Sequence, residues 1–193
     1  MAERNKNLRE ALILAGIDEI NTFGVTVFSI RRVAEACGVS CAAPYKHFKD
    51  KRDFIAAIIQ YVNGLWAERQ TEILDGVTRE GGGLREQLVA VTVGYICFLM
   101  EKPYFRSILM LKDEQFDNIY HRMRGQLSSR SQQLEEAYFA EAGMDEPTKM
   151  RKLYTVRALL FGTIFMMDTG ELEYSDETMA MVARTIDREF DLL

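Results

Sequence analysis

The stretch "GVSCAAPYKHF", Gly38 to Phe48, decides how this chain is read. Ahead of it lies a short helical pattern, "SIRRVAEA", in which Ile30, Val33 and Ala34 make an apolar stripe. Gly38 can take the positive φ of a tight turn, and Ser40 is placed to cap whatever helix follows. Helix, glycine turn, helix is the helix-turn-helix plan, whose second helix enters the major groove of DNA. Val39 and Phe48 anchor that second element to a core. Ser40, Cys41, Ala42, Ala43, Tyr45, Lys46 and His47 are left to cover an exposed face. Pro44 is the irregularity. It removes an amide and disfavours helical ψ at Ala43, which inside a long helix costs ~3 kcal/mol. The reading that accommodates it is a short helical stretch, with Ala42 and Ala43 letting the backbone press close to its partner.

Outward from this stretch the pattern is helical. Leu8, Ala11, Leu12, Ala15 and Ile20 predict a first helix over 6–23, stopped by Gly24. Ser29 caps the second, with Arg32 where a capping box would place Glu. Asp50 caps a long helix from Lys51 to about Val77. Three consecutive glycines, Gly81 to Gly83, then interrupt it. Further helices are expected near 84–101, 103–111, 113–143, 147–169 and 175–191. The fold expected is all-α: a three-helix helix-turn-helix domain at 1–50, then a larger helical ligand-binding and dimerisation domain at 51–193.

Composition agrees. Hydrophobic residues make up 48% of the 193 and only 3 are proline, so a sizeable helical core can form. No apolar run is long enough to span a membrane, and "MAERNKNLRE" lacks a signal-peptide core, so a cytoplasmic protein is expected. The cysteines, Cys37, Cys41 and Cys97, have neither disulfide nor zinc spacing. The net charge is -5, but it is unevenly spread: residues 28–52 carry six basic and two acidic groups. That local basic cluster suits a polyanion, and the acidic bulk lies elsewhere.

The run "SIRRVAEACGVSCAAPYKHFKDKRDFIAAI", Ser29 to Ile58, resembles the DNA-binding segment of the TetR family of transcriptional regulators. The shared features are Ile-Arg-x-Val-Ala, Gly-Val-Ser at the turn, Tyr-Lys-His-Phe, and Lys51 opening the next helix. The resemblance implies roles by position. Tyr45, His47 and Lys51 would bind phosphate oxygens, and Ser29 and Arg31 would grip the backbone across the groove. Ser40 lies on the same face, and Cys41, Ala42 and Lys46 would face base edges. Phosphate contacts position such a reader and base contacts specify. It also implies a homodimer on a palindromic operator in double-stranded DNA, and a repressor released by a small molecule.

A DNA motif accounts for about sixty residues at most, so the larger region needs its own purpose. The 147–169 helix is apolar nearly all round, and Met179, Val182, Ala183, Ile186 and Phe190 form a second stripe. Paired about a two-fold axis, these helices would make a four-helix interface built on Val156, Leu160, Met167, Met179, Val182, Ile186 and Phe190. Trp66, Tyr95, Phe98, Met110, Phe161 and Phe165 are candidate contacts for a small hydrophobic or aromatic ligand, although such stripes are more often plain core. No metal or cofactor is called for, and no nucleophile-base pair or phosphate loop points to an enzyme. The alternative to a ligand-released repressor is a structural or partner-regulated DNA-binding protein of the same fold.

Overall fold

The computed structural model describes residues 2–110 and 117–191, with side chains at 7–106 and 129–191. Met110's side chain and the expected helix start at 113 lie outside them. The described residues are helical throughout, without strands: α1 Ala2–Phe23, α2 Ile30–Ala36, α3 Lys51–Arg79, α4 Leu84–Glu101, α5 Pro103–Met110, α6 Asp117–Glu141, α7 Glu146–Asp168 and α8 Asp176–Glu189, with a 3₁₀ turn at Pro44–Lys46. None of these helices is long and apolar enough to cross a membrane.

Two compact units emerge. The first comprises Met1–Leu65 and Lys102–Gly125, the second Trp66–Glu101 and Gln126–Leu193. The division expected at residue 50 therefore falls inside the first unit, because the opening turns of α3 form part of the core under the turn motif.

That core is built from Leu12, Ile13, Ile17 and Ile20 of α1, Ile30, Val33 and Ala34 of α2, and Phe54, Ile55, Ile58 and Ile59 of α3. Ala11, expected on the inner stripe, is exposed. Gly16 explains how closely α1 and α3 approach: a Cβ there would stand 2.7 Å from Ile58 Cδ1 and 3.3 Å from Phe54 Cε2. The start of α3 is fastened reciprocally. Asp50 Oδ1 accepts the Asp53 amide at 2.8 Å, and Asp53 Oδ2 accepts the Lys49 amide at 2.9 Å. This is a variant of the capping box, with Asp in the place of Glu and the return bond made to the amide one residue before the cap.

In the second unit α7 and α8 pack on α4. Val91, Ile96 and Leu99 of α4 meet a core that includes Leu153, Val156, Ile164 and Met167 of α7 and Val182, Ile186 and Phe190 of α8. Asp145 caps α7 through the Thr148 amide at 3.0 Å, and Ser175 caps α8 through the Thr178 amide at 3.3 Å. The far end of α8 is held by side-chain donors. Buried Lys152 gives Nζ to the Glu189 and Asp191 carbonyls at 2.7 and 2.9 Å, Arg85 Nη2 donates to the Asp187 carbonyl at 3.0 Å, and the Tyr138 hydroxyl donates to the Phe190 carbonyl. Cations on the last carbonyls satisfy groups that have no partner within the helix.

This packing corrects part of the expected interface. Val156, Met167, Met179, Val182, Ile186 and Phe190 are buried within the single chain, Ile186 completely. Leu160 is half-buried. The amphipathic stripe on α8 lies in the chain's own core, which leaves little of these side chains at the surface of the protomer. The outward face of α7 carries instead Met150, Tyr154, Phe161 and Phe165, with Tyr154 75% exposed. Phe161 and Phe165, expected among the ligand contacts, are 52% and 56% exposed on this face.

Candidate nucleic-acid interface

The turn motif forms as expected at its first half. Ser29 takes an extended conformation at the N-cap of α2, and its Oγ accepts the Arg32 amide at 3.4 Å. Gly38 has a φ of 66°, and the following Val39 amide returns to the Ala34 carbonyl at 3.0 Å. Ala34, fully buried, leaves room for the crossing.

The second half is not an α-helix, and Ser40 does not cap one. Its carbonyl rather than its hydroxyl is engaged, by the Ala43 amide at 2.9 Å. The Lys46 amide then reaches the Ala43 carbonyl at 3.1 Å, and those of His47 and Phe48 reach the Pro44 carbonyl at 2.9 Å. Pro44 sits first in the 3₁₀ turn, where no amide is needed, and its ring is buried. Ala43 nevertheless keeps helical angles, φ -63° and ψ -42°. The tight i→i+3 turns on either side accommodate what proline disfavours in a regular helix.

Phe48 pins this segment. Its ring stacks on Phe54 at 3.9 Å and 8°, Phe28 meets Phe54 edge-on at 5.4 Å, and the Arg9 guanidinium lies 5.4 Å from the Phe48 centroid. With the apolar side fixed, Ser40, Cys41, Ala42, Tyr45 and Lys46 are all exposed. His47 is half-buried. Its Nε2 is buried without a hydrogen-bond partner.

Arg31 is exposed and pairs with Glu35 one turn on, Nε to Oε1 at 3.0 Å. That hydrogen bond, the Glu35 charge and then the Cys41 thiol raise its pKa, so it remains a cation. Lys51 is not wholly free, because its Nζ donates to the Thr26 carbonyl at 3.1 Å. An ammonium has two further protons for other acceptors. The Cys37 thiol donates to the Ala11 carbonyl at 3.6 Å, and burial pushes its pKa up, which disfavours thiolate chemistry.

Residues 12–58 match the family model for bacterial regulatory proteins of the tetR family. In this segment the chain is similar to the DNA-binding region of the TetR family. Over 56 residues it is 39% identical to the tetracycline repressor protein class C of Escherichia coli, a match covering 29% of this chain and 26% of that repressor. The chain thus spans about a quarter of the length of that relative. The whole chain shares its fold with TetR-family structures. A putative TetR-family regulator from Rhodococcus sp. superposes with a TM-score of 0.74 at 21% identity, covering 99% of this chain and 100% of that one. The regulator FadR from Bacillus subtilis, solved in complex with stearoyl-CoA, gives 0.75 at 13% identity, covering 95% and 98%.

Two groups that shape this interface were not singled out from sequence: Glu19 as a buried acid and Arg32 as its partner. Glu19 accepts from the Ser29 amide at 3.0 Å and from Arg32 Nε at 2.8 and 3.1 Å. Its signal was available, since it falls at i+7 from Leu12, a charge on an otherwise apolar stripe.

Trp66, Tyr95 and Phe98 form an aromatic cluster in the second unit, with Trp66 4.9 Å from Tyr95 and 5.4 Å from Phe98. Burial raises the Tyr95 pKa, so its phenol stays neutral. An open groove of about 480 Å³, lined by Ile73, Val89, Val93, Cys97 and Ala183 among others, lies in the same unit, and none of the expected ligand residues line it.

Proposed function

We propose that this chain is a transcriptional repressor that binds a palindromic operator as a homodimer and is released by a small, largely apolar ligand. The observation that carries the DNA reading is the turn segment itself. Its apolar side is locked by Phe48 on Phe54, and its other side presents Tyr45 and Lys46 to solvent next to Arg31 and Lys51 in a locally basic stretch. Tyr45, His47 and Lys51 serve as phosphate contacts, Ser29 and Arg31 hold the opposite strand, and Cys41, Ala42 and Lys46 meet base edges. Small side chains at 42 and 43 suit thymine methyls and close backbone approach.

A second copy of the chain is the proposed partner of the outward face of α7. Met150, Tyr154, Phe161 and Phe165 form a row of large apolar groups on one helix, with Met181 exposed on α8. Contiguous exposure of this kind marks an interaction surface. The ligand reading rests on the cluster of Trp66, Tyr95 and Phe98. A neutral phenol among apolar rings favours an uncharged or long-chain apolar ligand over a compact ion, and the complex of FadR with stearoyl-CoA, on a shared fold, supports an acyl chain as one such ligand.

Selection of bound duplexes from a random pool, followed by titration, tests the DNA reading. The expected result is an inverted repeat whose half-site centres lie about 34–36 Å apart or at a helical-turn multiple. Enrichment of no sequence would remove the proposal.

A further inference from the structure

We infer that Glu19 and Arg32 are positioning residues for DNA binding: a carboxylate–guanidinium pair that holds the first turn of α2, and with it Ser29 and Arg31, in the geometry the phosphate backbone requires. The inference rests on the DNA-binding reading above.

The side chain of Glu19 is only 5% exposed, against 42% for Arg32. A carboxylate withdrawn from water is costly unless it is paired and hydrogen-bonded on all sides. Here it is. Arg32 approaches through Nε and Nη2, and the Ser29 amide supplies a further donor at 3.0 Å. Arg32 Nη2 also donates to the Val27 carbonyl at 2.7 Å, and its guanidinium lies 4.5 Å from the Phe23 centroid. Lys51 Nζ holds the neighbouring carbonyl, Thr26, at 3.1 Å. The connection between α1 and α2 is therefore fixed at consecutive carbonyls by two cations, one of which is anchored to a buried acid.

A leucine in place of Glu19 would fill this corner without burying a charge. The charged pair adds direction: a planar guanidinium fork admits one orientation of the loop relative to α1, where an apolar contact admits several. Because Glu19 holds the Ser29 amide, Ser29 can offer only its hydroxyl to a phosphate, and Arg31, two residues on, is aimed by the same turn. Arg32 has a second effect. Without it, the Glu19 carboxylate would remain as an uncompensated negative charge close to where phosphates are expected.

The test is a double-substitution cycle on the full chain, read as affinity for the selected duplex at several salt concentrations. R32Q leaves the buried carboxylate unpaired and is expected to weaken binding by about tenfold or more, with the salt slope unchanged. E19Q/R32Q removes the charge, while the carboxamide oxygen introduced by E19Q can still accept the Ser29 amide, and is expected to recover most of that loss. A double variant as weak as R32Q, with the slope flattened by about 1, would show that Arg32 touches a phosphate directly and would overturn the inference. Unchanged affinity in R32Q overturns it as well. Thermal melts establish that each variant is folded. Should R32Q fail there, R32K takes its place: it keeps the charge without the fork, and wild-type affinity in it counts against the inference. If the wild-type chain selects no duplex at all, the DNA reading fails first, a result distinct from every outcome of the cycle.

Discussion

Pro44 shows how one residue sets the character of the reading segment. Its ring is buried and it opens a 3₁₀ turn, so the missing amide costs nothing there. Its contribution also lies in the unfolded chain, where a fixed φ leaves fewer conformations to lose. Pro44→Ala frees the unfolded chain and removes buried ring surface, and the net loss should be about 1 kcal/mol. This is read as a lower urea midpoint at an unchanged slope. A midpoint that rises would mean that Pro44 strains the turn. The irregularity was legible in the sequence, and so was its consequence, a short helical stretch. The role of Ser40 was not. A serine after a glycine turn reads as a cap, but proline four residues later leaves no helix to cap, and the i→i+3 bonds take the Ser40 carbonyl instead. Glu19 is visible as a charge on the apolar stripe of α1, but its partners are not: they lie ten and thirteen residues away, beyond what helical spacing can connect.

At the scale of elements, local signals carried far and facing did not. Ser29 and Asp50 cap where their side chains predict, because capping depends only on residues three positions apart. The side of α7 that turns inward was hidden, since the helix is apolar nearly all round and periodicity has no contrast to report. The stripe on α8 was plain, but a stripe does not say whether its partner is the same chain or another. These two faces now separate into two experiments. Ile186→Glu buries an unpaired charge in the monomer core and should cost on the order of 4 kcal/mol, seen as loss of the folded state. Tyr154→Glu with Phe161→Glu alters only exposed positions. It should leave the melting temperature of the protomer nearly unchanged while converting the dimer to monomer by light scattering. A double variant that remains a dimer would move the interface off α7.

For the whole molecule, the remaining proposal is that ligand binding and DNA binding are linked, and thermodynamics constrains how. A ligand acts only through its preference between DNA-competent and DNA-incompetent states, however tightly it binds. A coupling of ~1–3 kcal/mol would weaken operator binding about 5- to 150-fold, and by reciprocity the operator must weaken the ligand by the same factor. The cluster of Trp66, Tyr95 and Phe98 supplies both a candidate contact and a reporter, because Trp66 is the chain's single tryptophan. A screen of acyl and aromatic compounds by thermal shift should find one that also alters Trp66 fluorescence. Its affinity should fall when operator DNA is present, by the factor with which it loosens the DNA. Trp66→Leu, which empties volume at a buried site and so lowers the melting temperature, should weaken that compound while leaving DNA affinity in its absence within about twofold at a temperature where the variant is folded. Equal ligand affinity with and without operator would mean that the compound occupies the protein without regulating it. If tight DNA binding is accompanied by no compound that binds, control passes to a protein partner, and the aromatic cluster is core.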